Sequence, residues 1–407
     1  MNKNNFIPNQ KIFFSLFPVF YISGPLLTEI FLLYFVSINF INFELFKKKI
    51  LKDNRLIQFF FLLIFIQGLL SFPDLNYKNL LYARFYLYYV SILILFDKCE
   101  ELEDNFDLFI KTITYVLSLL IIVHIFQIIT GINTIDQRLT IPIRQEEIAV
   151  SIYSKFYPFI LIFLLFVSEN FKHEKFILNL RILFITVAIV VPIIVLFSGE
   201  RMNTLMLFGL ILLLLFKYKF LNTLYIILIL MIIYFLLNNF NYFEGIDRFD
   251  YVFERYFTFF DEISNNFFTD SVWGHHYLAA FDIFKENYVF GIGIKMFSAE
   301  CLNYLSELPK ACSTHPHNMY LEIASETGVL GILAFIFIFF HVLQIFLKNL
   351  MNKKFNIKQV IIFSLSACIL IYIFPLRSTG SFFNNYNSSF FWIYLGIIIS
   401  IYEKKKT

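Results

Sequence analysis

The chain is a succession of long apolar runs separated by short polar loops. About twenty apolar residues in helical form cross a hydrocarbon core about 30 Å thick, and runs of that length recur here. They are continuous and do not alternate, which indicates helices and excludes a membrane barrel. The pattern predicts twelve transmembrane helices: two within 11–43, divided at Gly24-Pro25, and others near 56–72, 79–96, a run ending near Gly131, 148–168, 180–197, 202–216, 220–238, 328–347, 359–375 and 389–402.

One long segment, 239–316, breaks this pattern. It is too polar to span a bilayer and too rich in Trp, Tyr and Phe to be disordered. We expect a subdomain of amphipathic helices, for example from Trp273 to Glu286. The predicted organisation is therefore nine membrane helices in 1–238, a loop subdomain in 239–316, and the last three helices in 317–407.

Composition agrees with a membrane location. Hydrophobic residues make up 59% of the chain and charged residues 15%, against about 25% charged in soluble domains. The net charge of +3 does not indicate nucleic-acid binding, because the basic residues lie in short loops between helices. The predicted fold class is an all-α polytopic membrane protein.

The distribution of basic residues predicts the orientation. With the N-terminus inside, the clusters at 47–55, 172–181, 217–219, 348–358 and 404–406 all face the cytoplasm. The opposite loops hold only scattered basic residues: Lys78, Arg138, Arg144, Arg201 and Arg377. Cytoplasmic loops are normally the ones enriched in Lys and Arg. The segment 239–316 and His317 are therefore predicted to lie on the outer face.

Candidate chemistry concentrates where the long segment ends. Pro316 suits the first turn of a helix, which would place His317 and Asn318 at the positive end of that helix. Such a terminus attracts phosphate through its free backbone N–H groups. A histidine there can also act as a general base near neutral pH.

The same stretch does not predict a metal site. His315 and His317 are two positions apart, whereas zinc ligands on a helix are about one turn apart. Glu322 and Glu326 follow, but no third ligand is obvious. The small residues within 324–331 indicate a face for close helix packing.

The arginines of the outer loops are the other candidates. Arg201 follows Glu200 in a tight turn, and a cation at the membrane marks function or a structural pair. The alternatives for Arg201 are an ion pair with Glu200 or snorkelling to the interface. Arg138 and Arg144 flank a short loop and are suited to clamp phosphates, or are solvated loop charges. Arg377 carries the weakest signal.

Two further features belong to the long segment. Cys301 and Cys312 are close enough in sequence to close a small loop. An oxidising compartment favours a disulfide between them, and two free thiols are the alternative. Gly291-Ile292-Gly293 matches only a fragment of a dinucleotide fingerprint and is interpreted as a turn.

Two motifs carry a family resemblance. Arg201 to Leu205 fits the arginine-x-x-x-leucine motif of O-antigen ligases, and His317-Asn318 followed nine residues later by Gly328-Val329-Leu330-Gly331 fits their histidine motif. The chain resembles the O-antigen ligase and polymerase superfamily over most of its length. The large outer loop before the tenth helix is similar too, as in the glycosyltransferase C-type membrane fold.

The resemblance implies glycosyl transfer without metal or cofactor on the periplasmic face of a bacterial inner membrane. The donor would be a glycan on undecaprenyl pyrophosphate, and the acceptor lipid A-core or another glycan. His317 would assist the acceptor hydroxyl, and Arg201 with Arg138 or Arg144 would hold the pyrophosphate. Asn318, His315 and Glu200 complete the predicted substrate contacts.

One position departs from the family pattern. Relatives often carry an arginine ahead of the amphipathic helix, where this chain has Trp273-Gly274-His275-His276. The resemblance implies a substitute cation from Arg248, Arg255 or a histidine.

Two alternative functions are weighed. A polymerase that joins lipid-linked repeat units shares both motifs. A flippase or transporter of lipid-linked sugars would show internal repeats and polar groups at the midplane. No repeat is found, and the cations cluster at one face, which favours an enzyme.

Overall fold

A computed structural model describes most of the chain. The described residues are 7–40, 43–52, 54–70, 77–97, 102–132, 139–141, 144–148, 150–170, 175–218, 254, 256, 267–304, 310, 312–352 and 356–403. Their helices are α1 (Ile7–Ser23), α2 (Pro25–Phe40), α3 (Phe43–Lys52), α4 (Arg55–Leu70), α5 (Tyr77–Tyr82), α6 (Arg84–Asp97), α7 (Leu102–Thr130), α8 (Val150–Asn170), α9 (Lys175–Phe197), α10 (Arg201–Tyr218), α11 (Phe267–Asp270), α12 (Val272–Glu286), α13 (Phe297–Glu300), α14 (Met319–Leu350), α15 (Ile357–Tyr372) and α16 (Asn385–Glu403). A short 3-10 turn, Cys301–Tyr304, follows α13. An antiparallel hairpin of β1 (Thr140–Ile141) and β2 (Arg144–Ile148) precedes α8.

Helices occupy the positions of eleven of the twelve predicted spans, and the remaining one, 220–238, lies outside the described residues. Within the described part of the chain, three helical segments are long and apolar enough to cross a membrane: Tyr77–Phe96, Leu108–Thr130 and Met319–Leu350. The other apolar helices are shorter. The chain is a helical membrane protein, and the count of twelve crossings remains a prediction.

Two details differ from the predicted layout. The fourth predicted span consists of two helices, α5 and α6, with a turn at Ala83. The basic stretch after the second span is not a loop, because it forms helix α3. Phe46 of that helix is buried against the bundle, while Lys47, Lys48 and Lys49 stay at least partly exposed, as in an amphipathic interfacial helix.

Helices α15 and α16 lie at the centre of the bundle. Nearly all their side chains are buried, which is the pattern of a helix surrounded by others. α15 packs on α8 and α14, and α16 packs on α6. Trp392 of α16 is fully buried and donates its Nε1–H to the Tyr82 hydroxyl at 2.9 Å. The loop between α15 and α16, residues 373–384, is therefore anchored at both ends.

Helix α14 is kinked at Gly328, whose backbone angles are φ 69° and ψ −170°. The kink interrupts the helical hydrogen-bond ladder. The carbonyl groups of Ser325 and Glu326 instead accept hydrogen bonds from Ile292 N and Gly293 N, both at 3.0 Å. The turn 287–297 is therefore docked into the kink.

Glycine is required on both sides of this junction. A Cβ on Gly328 would lie 2.2 Å from the Val289 carbonyl oxygen, and one on Gly291 would lie 2.4 Å from the Glu326 carbonyl carbon. The prediction of a turn at 291–293 is confirmed. The backbone of this turn, and not another helix, packs against Gly328. The expectation that Gly328 lies in a helix-packing face is therefore wrong.

Gly328→Ala is expected to lower the thermal stability of the purified protein clearly. A positive φ with ψ near −170° is essentially confined to glycine and costs another residue about 1–3 kcal/mol, and the clash with Val289 adds to that. Gly209→Ala in α10 is the matched control, because nothing lies within 4 Å of a Cβ there and alanine favours a helix. Thermal unfolding in detergent measures both variants, and equal midpoints would contradict the role of the kink.

Candidate active site

A cavity of about 1640 Å³ lies where several helix ends meet. Its wall includes residues from the starts of α8, α10, α14 and α16 and from the end of α15. Sites for small molecules occupy roughly 300–1,000 Å³. This cavity therefore has room for parts of two substrates at once.

The histidine stretch enters the cavity in a different conformation from the predicted one. Helix α14 begins at Met319, and Asn318 is its N-cap, with a side-chain oxygen that accepts from Tyr320 N at 3.0 Å and Leu321 N at 3.2 Å. The expectation that Pro316 occupies the first turn is therefore wrong. His317 precedes the cap and adopts a left-handed φ of 57°. Such a backbone is uncommon for a residue with a side chain.

The loop between α15 and α16 holds this conformation. Thr379 N donates to the His317 carbonyl oxygen at 3.0 Å, and the Asn318 side-chain amide donates to the Pro375 carbonyl oxygen at 3.0 Å. His315 Nε2 lies 3.1 Å from the Thr379 carbonyl oxygen. The left-handed turn is thus held from both sides, which is typical of functional sites.

The ring of His317 belongs to an aromatic cluster. It stacks on His276 with centroids 5.3 Å apart, lies edge-on to Trp273 at 4.6 Å, and contacts His315 at 4.1 Å. Its Nε2 lies 3.1 Å from the Ser313 hydroxyl. Trp273 and His276 come from α12, which confirms the amphipathic helix predicted there.

These imidazoles are held in the neutral form. Burial, with the neighbouring His315 and His276, lowers the pKa of His317 to about 3. Burial also lowers the pKa values of His315 and His276. A neutral imidazole can accept a proton, but it supplies no positive charge. His276 therefore does not replace the arginine that relatives carry in this neighbourhood.

The low pKa of His317 predicts a pH dependence of stability. The unfolded chain binds a proton at this histidine as the pH falls below about 6.5, whereas the folded chain does so only near 3. The contribution of His317 to the free energy of unfolding should be constant above pH 6.5. Between pH 6.5 and 3 it should fall by at most about 1.4 kcal/mol per pH unit. His317→Asn should flatten this slope in thermal unfolding across the range. An unchanged slope would contradict the buried neutral ring.

Arg201 lies on the same wall as the first residue of α10, after a turn in which Gly199 has φ 72°. Glu200 lines the cavity beside it. Of the predicted site residues, His317, Asn318, His315, Arg201 and Glu200 therefore share one cavity. Arg138 lies outside the described residues, as do Arg248 and Arg255. Arg144 belongs to β2, and its side chain is likewise outside the described part.

Arg377 is much more prominent in the structure than in the sequence. Its guanidinium is buried and donates to Ser154 Oγ at 2.9 Å, Asn203 Oδ1 at 2.6 Å and the Ile371 carbonyl oxygen at 2.9 Å. It therefore joins α8, α10 and α15 at the cavity wall. Burial lowers its pKa to about 10, so it remains a cation at neutral pH.

Lys155 was missed in the sequence, although a lysine inside an apolar run is a functional signal. It is 1% exposed, and its Nζ donates to Asn387 Oδ1 at 2.9 Å. The ammonium lies 4.5 Å from the centre of the Tyr386 ring and 5.4 Å from that of Tyr21. The cation–π contacts with the two rings and the hydrogen bond to Asn387 together hold the ammonium group at the cavity wall.

Two buried carboxylates fix loops to α14. The backbone N–H of Lys295 donates to Glu326 Oε2 at 2.7 Å, and Phe382 N donates to Glu322 Oε2 at 2.7 Å. Ser381 also hydrogen-bonds Glu322. Lys295 and Ser381 both line the cavity. Glu322 and Glu326 therefore position parts of the cavity wall. Among the described residues, no group of three His, Cys, Asp or Glu side chains could hold a metal ion.

The open question about the cysteines is answered. Cys301 and Cys312 form a disulfide. The Cys312 backbone lies close enough to the ring of His276 to oppose the lowering of its pKa by burial, so the disulfide fixes a segment beside that ring. The third described cysteine, Cys368, is buried in α15.

The charge of the cavity wall is strongly unbalanced. In the part formed by described residues, five basic side chains face a single carboxylate, that of Glu200. The five are Lys78, Lys155, Arg201, Lys295 and Arg377. A concave wall of one sign concentrates ligands of the opposite sign. The cavity is therefore suited to anions.

Residues 184–336 match a family model described as O-antigen ligase. Over this segment, which is less than half of the chain, the sequence matches the O-antigen ligase superfamily. The matched segment contains both motifs, Arg201 at the start of α10 and His317 before α14. Lys78, Lys155 and Arg377 lie outside it. A search of curated proteins finds no match to the chain.

Proposed function

We propose that this chain is a glycosyltransferase of the O-antigen ligase superfamily. It transfers a glycan from undecaprenyl pyrophosphate to a hydroxyl of an acceptor such as lipid A-core. The observation that carries the proposal is the cavity in which a neutral, backbone-fixed His317 shares a wall with basic side chains. The family match over both motifs supports the reaction class.

Arg201, Arg377 and Lys155 form the donor subsite. Arg377 bonds Asn203 of the helix that begins at Arg201 and also Ser154, the residue before Lys155. A diphosphate carries several charges, and guanidinium groups present paired donors to its oxygens. Fixed cations stabilise the charge that develops on the leaving group, so this chemistry does not require a metal ion.

His317 assists the acceptor. Its neutral ring accepts the proton of the attacking hydroxyl, and the ring contacts with Trp273 and His276 set its plane. The acceptor oxygen bonds to the anomeric carbon as the bond from that carbon to the diphosphate oxygen breaks. The electron pair leaves with undecaprenyl pyrophosphate, whose negative charge favours the imidazolium during the step.

The helix directions support a periplasmic active site. Helix α10 begins at the cavity with Arg201 and carries Lys217 in its last turn. Its 18 residues rise about 27 Å, slightly less than a full hydrocarbon core. Helix α14 likewise starts beside His317 and has Lys348 in its last turn. The basic ends point away from the cavity, so the positive-inside rule favours the outer face for the site.

Reconstitution tests the function. The purified protein in liposomes, given undecaprenyl-pyrophosphate-linked glycan and lipid A-core, should form glycosylated lipid A-core and release undecaprenyl pyrophosphate, with the same rate in excess EDTA. Arg201→Ala should lower kcat/KM by about a hundredfold or more, because a charged contact to the leaving group is lost. Failure of the wild-type protein to modify any acceptor would contradict the proposal. Growth of the glycan on its carrier alone would identify a polymerase.

A further inference from the structure

The cavity has a second basic group at a different place on its wall. Lys78, in the first turn of α5, lies with its Nζ 3.4 Å from the Lys295 carbonyl oxygen, and both side chains line the cavity. The donor subsite is built on other elements, since Arg377 joins α8 and α10 through Ser154 and Asn203. Neither lysine has a role in the transfer reaction proposed above.

Lys295 is held in an unusual backbone conformation. Its φ is 59°, in the left-handed region that favours glycine. The Glu326 carboxylate accepts its N–H at 2.7 Å, and Asn79 Oδ1 accepts the N–H of the preceding residue, Ile294, at 2.7 Å. The loop that carries Lys295 is therefore fixed both to α5 and to α14. Because α14 starts beside His317, the lysine pair has a defined position relative to that ring.

The electrostatics of the pair favour an anion. Burial lowers the pKa of Lys295, and the positive charges of Lys78 and Arg84 lower it further, against the opposing effect of Glu322 and Glu326. Lys295 takes part in neither the Arg84–Glu29 nor the Lys285–Asp282 ion pair. A negatively charged ligand that lies beside both side chains would stabilise both positive charges.

We propose that Lys78 and Lys295 form an acceptor subsite that binds a phosphate or carboxylate group on the acceptor saccharide. This inference rests on the proposed function and names the class of acceptor, an acidic saccharide. The diphosphate of the donor is already met by Arg201, Arg377 and Lys155. The loop of Lys295 is fixed to α14, the helix that follows His317. We therefore assign the anion bound by the two lysines to the acceptor, the molecule whose hydroxyl group approaches His317.

The test uses three acceptors and two variants of the full-length protein. The acceptors are a phosphorylated lipid A-core saccharide, its phosphatase-treated form, and a form that carries a uronic acid in place of phosphate. The variants are Lys78→Gln/Lys295→Gln, which keeps much of each side chain, and Lys285→Gln. Lys285 is an exposed cation of α12 that does not line the cavity, so it is the matched control.

The wild-type protein and the control should prefer an acidic acceptor by about tenfold or more in kcat/KM. The double variant should lose that preference through a higher KM for the acidic acceptor, with the same KM for the neutral acceptor and for the donor. The acidic acceptor whose KM rises more in the double variant shows whether the subsite binds a phosphate or a carboxylate group. A preference that survives in the double variant, or an equal rise in the donor KM, would overturn the acceptor subsite.

Two measurements keep the outcomes separate. Thermal unfolding establishes that the double variant is folded, and Lys295→Gln alone repeats the test if it is not. Equilibrium binding of the phosphorylated and phosphatase-treated saccharides is measured on the same proteins. If the wild-type protein transfers a glycan to neither saccharide, the proposed function fails. Even then, a tenfold loss of phosphorylated-saccharide binding in the double variant would support the subsite. Equal binding by both proteins would overturn it.

Discussion

His317→Asn is expected to lower kcat for glycan transfer by about 10²- to 10⁴-fold, the range that a positioned general base supplies. The loss should fall on kcat, with the donor KM nearly unchanged, because the diphosphate contacts come from other side chains. Asparagine tolerates the left-handed φ of 57° that His317 adopts. The variant therefore removes the imidazole while it keeps the turn before α14.

A second histidine of α14 provides the control for this variant. His341 contacts Tyr402 and does not line the cavity. His341→Asn should retain transfer activity, and a comparable loss in both variants would point to a general effect on the helix. Single-turnover kinetics with saturating donor separate the chemical step from binding. An unchanged single-turnover rate in His317→Asn would exclude the imidazole from the reaction.

Arg377→Leu is expected to lower both stability and donor binding strongly. The guanidinium satisfies three buried acceptors, those of Ser154, Asn203 and Ile371, and each acceptor left unpaired costs about 1–3 kcal/mol. The same substitution removes a cation from the proposed donor subsite. Arg377→Lys should rescue only part of the loss, because one ammonium cannot reach all three acceptors in the geometry of the planar fork.

A double-mutant cycle separates the two effects. In Arg377→Leu/Asn203→Leu the arginine and one of its acceptors are removed together, so the double variant should be less destabilised than the sum of the single variants. Thermal unfolding in detergent measures the stability part, and the donor KM measures the loss of the cation. Strictly additive stabilities would show that the bond between Arg377 and Asn203 contributes nothing.

The sequence located much of the site but not its local geometry. Both Pro316 and Asn318 satisfy rules for a helix start, and those rules do not choose between them. The structure selects Asn318, because Thr379 and Pro375 hydrogen-bond the turn before it. Those partners lie about sixty positions away in the chain, where a local pattern carries no information about them.

Sequence reasoning missed Lys155 and ranked Arg377 as the weakest of the outer-loop arginines, for different reasons. Lys155 had a visible signal, because a lysine in an apolar span is expensive unless it is paired. Arg377 carried only a weak signal, since an arginine in a loop between spans is equally consistent with a solvated charge. Only the return of the loop 373–384 into the bundle buries it against Ser154 and Asn203. Glu326, weighed and rejected as a metal ligand, proved to hold a loop through backbone N–H groups.

By itself the sequence determined the helical membrane class, the placement of helices at eleven of the twelve predicted spans, and the two motifs. Hydropathy suffices for this, because a chain in lipid must satisfy its own backbone hydrogen bonds, and an apolar run can do so only as a helix. The tertiary structure alone decided which charges meet. Lys155, Arg201 and Arg377 are far apart in the chain and share one wall only because α8, α10 and α15 pack side by side.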